Sequence, residues 1–279
     1  MSRIPTEAAV LPLLLAMACS SPQPRPNYVD RMHFVDDDAV EPVAPRRVTR
    51  LPPGTRIRRR RRPTALRGPR ALGPPRCANH KQGTSESPGR ANDGRLENGC
   101  LLPAKGPGWV RRNKAGWGTD RSVAVLQWAL GEVVRLHRGT VPVVVGALSR
   151  ENGGRLRPHR SHRSGRDIDI GYFAANNAAL PHFRPMTSGN IDIEKTWTLI
   201  GAMLHTGLVH YVFVDYNLQA LMVRYLEDEG TDARTLARVF QYPAGRAARQ
   251  GIIRHARGHA DHLHIRFRCI PEDGDECLD

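Results

Sequence analysis

The stretch GHADHLHIRFRC, residues 258–269, holds His259, Asp261, His262 and His264 within six positions. Imidazoles gather at this density to hold a metal ion or to move protons. Side chains two apart on a strand share a face. His262 and His264 therefore face one way, and Leu263 and Ile265 the other. A second cluster lies upstream in PHRSHRSGRDIDIGYF, residues 158–173. The same parity puts Asp167 and Asp169 on one face, with Ile168 and Ile170 turned inward. His162 sits in the loop leading in, and the Ser164-Gly165 turn lets that loop fold back beside the strand. His162, Asp169 and His264 then form a set of two histidines and one carboxylate. Three such ligands and one open position are the pattern of a catalytic zinc site. His159 reads either as a residue that orients a ligand or as exposed. The other histidines lie outside both clusters and are read as uninvolved.

These clusters need rigid elements to bring them together. DRSVAVLQWALGEVVRLHR (120–138) has apolar residues at helical spacing behind a Thr119 or Asp120 cap. Asp192 can cap a second helix over 194–207, stopped by Gly207, and residues 217–230 and 231–240 read as two more helices. The β-branched run within 140–150, the alternation within 166–173, VHYVFVD (209–215) and HLHIRFRC (262–269) read as strands. Residues 78–118, with Trp109 and Trp117, read as irregular structure or short strands. Helices and strands mix without regular alternation, which predicts an α+β fold: a mostly antiparallel central sheet flanked by helices, behind a disordered N-terminal segment.

The chain has 279 residues and a net charge of +15, which favours anionic partners: nucleic acid, acidic lipid or lipopolysaccharide, or an anionic cell wall. Residues 8–18 form an apolar run of signal-peptide length ending at Cys19. Two readings stay open there: Ala16-Met17-Ala18 as an ordinary cleavage site, or a lipobox whose Cys19 is lipidated. The expected organisation is a signal peptide over 1–18, a Pro/Arg-rich tether over 19–76 and a folded domain over 77–279. Residues 46–70 carry eleven arginines and no acid. In an exported chain that run reads as a solvated tether able to touch an anionic membrane or lipopolysaccharide. Four further cysteines, Cys77, Cys100, Cys269 and Cys277, suit two disulfides in an oxidising compartment. Of three possible connectivities the local one is simplest, Cys77 with Cys100 and Cys269 with Cys277.

Taken together, VVVGALSRENGGRLRPHRSHRSGRDIDIGYF and the downstream GHADHLHIRFRC resemble the penicillin-insensitive murein endopeptidases. That branch is part of a wider group with lysostaphin-type enzymes, D-Ala-D-Ala peptidases and the hedgehog signalling domain. His162 to Asp169 matches the group's H-x6-D signature and His262-Leu263-His264 its H-x-H. The resemblance implies one zinc ion per chain, held by His162, Asp169 and His264, with His262 and His259 lining the site as catalytic groups. Asp261 matches the place of a Glu base in the D-Ala-D-Ala carboxypeptidases, but strand parity aims it away from the metal. Asp167 is expected to support a ligand or touch substrate. The implied activity is hydrolysis of peptide cross-links in peptidoglycan, of the D-alanyl–meso-diaminopimelyl type. The apolar run and Cys19, not the resemblance, give the expected location: the periplasm, with an outer-membrane lipoprotein anchor on the lipobox reading. Ala147 departs from an Asp of the family pattern and Arg163 from a common Gln; neither is a ligand position. A metal-dependent nuclease or nucleic-acid binder using the arginine run is the rival reading, although no specific nucleic acid is expected for an exported chain. A wall-binding protein with a silent site is the third.

Overall fold

A computed structural model describes Leu66, residues 72–80 and residues 82–279. The signal peptide, Cys19 and the arginines of 46–70 lie outside the described residues. Arg76 is already held: its N–H donates to Gln127 Oε1 (2.9 Å) and its carbonyl accepts from Gln127 Nε2 (2.8 Å). Six short strands follow: β1 (Gly89–Arg90), β2 (Asp93–Gly94), β3 (Cys100–Leu101), β4 (Lys105–Gly106), β5 (Trp109–Arg111) and β6 (Trp117–Gly118). They alternate with turns, and the Cys77–Cys100 disulfide ties the entering chain to β3.

Thr119 caps α1 (Asp120–Leu136) by accepting from the Ser122 N–H at 3.1 Å. Val123, Leu126, Leu130 and Val133 recur at helical spacing and are buried. Strands β7 (Val143–Val145) and β8 (Asp167–Gly171) come next. Asp192 caps α2 (Ile193–His205) through the Lys195 N–H, and Gly207 follows with φ +71°. After β9 (Val209–Val214) come α3 (Tyr216–Asp228), α4 (Ala233–Val239), β10 (Ile253–His255) and β11 (His262–Phe267). Among the described residues no helix is long and apolar enough to cross a membrane.

Seven strands make the main sheet, in the order β10-β9-β11-β8-β7-β5-β4. Pairings β10–β9 and β7–β5 are parallel and the other four antiparallel. This is the mostly antiparallel α+β sheet that the sequence predicts. Strand β10 is the element the sequence reading lacks. Its three residues sit among Gly and Arg, too short a run for alternation to register, and its partner β9 supplies the pairing.

Register sorts the two faces. Ile265 lies opposite Ile168 and Val212, and Leu263 opposite Ile170. All five are fully buried and share one core with the inner faces of α1, α2 and α3. On the other face His264 lies opposite Asp169 and Phe213, and Arg266 opposite Asp167 and Tyr211. The helices therefore pack against one side of the sheet, and the chemistry-bearing side chains line the other. Beyond β11, Cys269 bonds Cys277, so the cysteines pair locally as expected.

Ile265→Ala would open a cavity at the centre of this core. The expected loss is about 2–5 kcal/mol, read from denaturant unfolding. A loss under about 0.5 kcal/mol, the range of neutral surface changes, would contradict the packing described.

Candidate metal centre

Asp169 on β8 is buried and points into a ring of imidazoles. Its Oδ1 lies 3.2 Å from His162 Nε2, 3.2 Å from His264 Nδ1 and 3.7 Å from His262 Nε2. Its Oδ2 lies 3.6 Å from His159 Nδ1. The two clusters of the sequence thus meet around one carboxylate.

Each of the two nearest histidines is fixed from behind. His162 Nδ1 is 2.7 Å from the Leu148 carbonyl oxygen, which can only accept, so that nitrogen carries the proton and Nε2 faces Asp169. His264 Nε2 donates to Asp167 Oδ1 at 2.9 Å, which turns Nδ1 toward Asp169. Asp167 also accepts from Arg266 Nε at 2.8 Å and, through Oδ2, from the His162 backbone N–H at 2.8 Å. That last bond holds His162 in the left-handed region, at φ +64°. Few non-glycine residues adopt this region, though histidine does so more readily than most. The expected turn is present too. Gly165 has φ +74°, and a Cβ there would meet Leu96 at 2.9 Å and the Thr119 nitrogen at 3.0 Å.

Two atoms in this ring have no hydrogen-bond partner although buried: His162 Nε2 and Asp169 Oδ1. An unsatisfied buried polar atom costs on the order of 1–3 kcal/mol. At 3.2 Å the two atoms need a proton or a metal cation between them. The electrostatics agree. Burial would raise the Asp169 carboxyl, but close contact with His162 and His264 outweighs it and holds the group well below the usual range. Asp167 is likewise held well below its usual range, because the charge and hydrogen bond of His264, then Arg266, outweigh burial. Burial lowers His264, yet Asp167 and Asp169 together raise it to about 9. Burial, helped by His162, lowers His159. Burial, helped by His262 and His264, lowers His259 to about 4, so its imidazole is neutral at pH 7.

The donor set of imidazole nitrogen and carboxylate oxygen suits a divalent transition metal. Ligand atoms of His159, His162 and Asp169 all lie within 4.8 Å of one another. His159 thus stands as close to the carboxylate as His262 does, nearer than a merely exposed residue would. It is also the most open of the four, with its side chain 28% accessible, against 1% for His162 and 8% for His264.

The remaining expected residues surround this core. The His262 ring is flanked by His259 at 4.8 Å between centroids, and its Nδ1 donates to Asp261 Oδ1 at 2.6 Å. Asp261 therefore acts on His262 and not on the carboxylate cluster. His259 Nδ1 donates to the Arg257 carbonyl at 3.1 Å, and Tyr172 Oη steadies the loop by donating to the His259 carbonyl at 2.9 Å. The sequence reading lacks Phe183, whose ring stacks on His262 at 4.8 Å and 13°. A lone aromatic in the loop PHFRP has no periodic signal. Ala147 is buried and its carbonyl accepts from the Asp169 N–H at 2.9 Å, so this departure from the family pattern adjoins the cluster through its backbone, while Arg163 follows His162 and sends its side chain toward Asp93 (3.8 Å).

Residues 87–199 match the family described as penicillin-insensitive murein endopeptidase. The matched segment carries His159, His162, Asp167 and Asp169 and stops short of β11. The match bears out the family resemblance through the upstream segment with its H-x6-D motif, the H-x-H lying beyond it, and supports endopeptidase activity toward murein. No curated protein matches the chain.

Two outcomes follow from the ring. In metal-free protein His264 holds its second proton up to about pH 9. A metal ion held through His264 Nδ1 would have to displace that proton, so affinity should then rise about tenfold per pH unit below this value. Metal titration at pH 6, 7 and 8 with proton release recorded checks this; a pH-independent affinity would refute it. Asp167→Asn should lower metal affinity about 10–100-fold while every direct ligand stays in place, measured by competition with a chelating dye.

Proposed function

From the match to the penicillin-insensitive murein endopeptidases, we propose that the chain is a zinc-dependent endopeptidase that hydrolyses D-alanyl–meso-diaminopimelyl cross-links in peptidoglycan. The observation that carries the proposal is Asp169 Oδ1 standing 3.2 Å from both His162 Nε2 and His264 Nδ1. Zinc fits two imidazoles and one carboxylate with a fourth position open. His162, Asp169 and His264 would hold it. The far nitrogen of each histidine is engaged by a carbonyl or carboxylate, an arrangement that orients metal-binding histidines. His159, more open and with no hydrogen bond behind it among the described residues, would border the open position.

When bound, such an ion polarises the scissile carbonyl and lowers the pKa of water from 15.7 toward about 7. The chain supplies the rest. Asp261 fixes the His262 tautomer, so Nε2 faces the cluster, 3.7 Å from Asp169 Oδ1, and is free to accept a proton or stabilise a developing oxyanion. His259 is neutral at pH 7 and offers a second acceptor nearby. One imidazole can take the proton from water and return it to the leaving amine.

The rival nuclease reading relies on the arginines of 46–70, which lie outside the described residues. Peptidoglycan as substrate would suit a periplasmic location, and two disulfides are compatible with that compartment. The apolar run before Cys19 would carry it there, as a lipoprotein of the outer membrane.

Purified cross-linked muropeptides should be cut by the full chain, lose cutting with a chelator and regain it with zinc, with products identified by mass. His264→Ala should abolish both zinc binding and hydrolysis. His159→Ala should keep one zinc per chain. The reverse pattern would replace His264 by His159 in the ligand set. His262→Ala should keep the metal and lower kcat about 10²–10⁴-fold.

A further inference from the structure

A groove of about 450 Å³ opens beside the carboxylate cluster, lined by Arg112, Asn113, Val144, Gly146, His182 and Phe183. It lies on the same sheet face as the histidines. Arg111 pairs with Val145, and the Arg112 N–H donates to the Val145 carbonyl, so Arg112 falls beside Gly146. The Gly146 N–H in turn donates to the Asp169 carbonyl at 2.9 Å. One row therefore crosses the sheet: Arg112, Gly146, Asp169, His264, Phe213 and Arg254. Strands are spaced about 4.8 Å apart, so Arg112 starts about 10 Å from Asp169, backbone to backbone.

The groove depends on Gly146 having no side chain. A Cβ there would meet the Phe183 ring at 2.6 Å and Asp169 Cβ at 3.3 Å. Phe183 thus lies against the strand floor with its ring stacked on His262, joining the groove to the reacting groups. The polar end offers donors. Asn113 Oδ1 is taken by the Ala115 N–H at 2.8 Å, which leaves its amide NH₂ to donate. Arg111 is committed to the Leu102 and Asn113 carbonyls. Arg112 is exposed and makes no ion pair among the described residues. At the other end of the row Arg254 is used: it donates to the Gly251 carbonyl and lies over the Tyr211 ring at 4.0 Å.

We propose that Arg112, assisted by Asn113, binds a free carboxylate of the substrate peptide next to the scissile amide, with the intervening residue lying over Gly146 and Phe183. An extended peptide advances about 3.3–3.6 Å per residue. A side-chain or terminal carboxylate within a residue or two of the cut bond therefore falls within reach of the guanidinium. The proposal rests on the peptidase reading above and adds a specificity: the enzyme distinguishes cross-links bearing a free carboxylate from those in which it is amidated.

The test compares wild type with Arg112→Gln on two cross-linked muropeptides, identical except that one carries the carboxylate and the other its carboxamide. Wild type should prefer the carboxylate form. Arg112→Gln should lose about 10–100-fold in kcat/KM on that form, mostly through KM, and little on the amide. Arg112→Lys should recover part of the preference. Equal losses on both substrates, or no loss, would overturn the assignment. Calorimetric binding of the uncut carboxylate peptide to chelator-treated wild type and Arg112→Gln separates this from the peptidase reading. Absence of hydrolysis by wild type counts against that reading alone. Binding at least tenfold weaker in the variant still supports the groove, and equal binding overturns it.

Discussion

The Asp167 carboxylate is the interaction on which the site depends. It is fully buried, and its oxygens reach three parts of the chain: the His162 backbone, the His264 ring and the Arg266 guanidinium. One acid therefore sets the backbone of the loop, the tautomer of the strand histidine and the charge balance beneath both. A buried carboxylate without such partners would be costly. Here every partner is also a part of the site or of the strand that carries it, so burial cost and functional geometry are offset by the same bonds.

The sheet turns this local arrangement into a usable surface. Its inner face is a continuous apolar layer against the helices, with Ile168, Ile265 and Val212 in register. A slip of one residue would drive His264 and Asp169 into that layer and expose the isoleucines. Core packing thus enforces the position of the site, and two core residues, Leu148 and Tyr172, also hold His162 and the His259 carbonyl directly. The loops then refine it: Asp261 and Phe183 grip His262 by an edge and a face, from segments that no strand carries.

Much of this was legible in the sequence because strand parity is a strict rule. HLHIRF and DIDIG place their polar residues on one face whatever the fold, and the resemblance joined the two segments. Helix caps at Thr119 and Asp192 and the local disulfides followed from equally local chemistry. What was not legible depends on loops meeting in space. The approach of His159 to Asp169 and the stacking of Phe183 on His262 arise from the paths of loops, which have no period to read. Asp261 is instructive: parity turned it from the carboxylate cluster, and the structure gives it His262 as its partner. The parallel pairings of β5 with β7 and β9 with β10 are set by distant partners, and three-residue strands carry little signal of their own.

The place of β11 has a consequence for how the molecule comes into being. The strand nearest the end of the described chain is also the middle of the sheet, inserted between β8 and β9. Until it arrives, β8 and β9 have open edges and Asp169 lacks His264. Pairings so distant in sequence form slowly. Before that strand is in place the upstream segment can bring His162 and His159 to Asp169, but the ring of imidazoles around the carboxylate is incomplete.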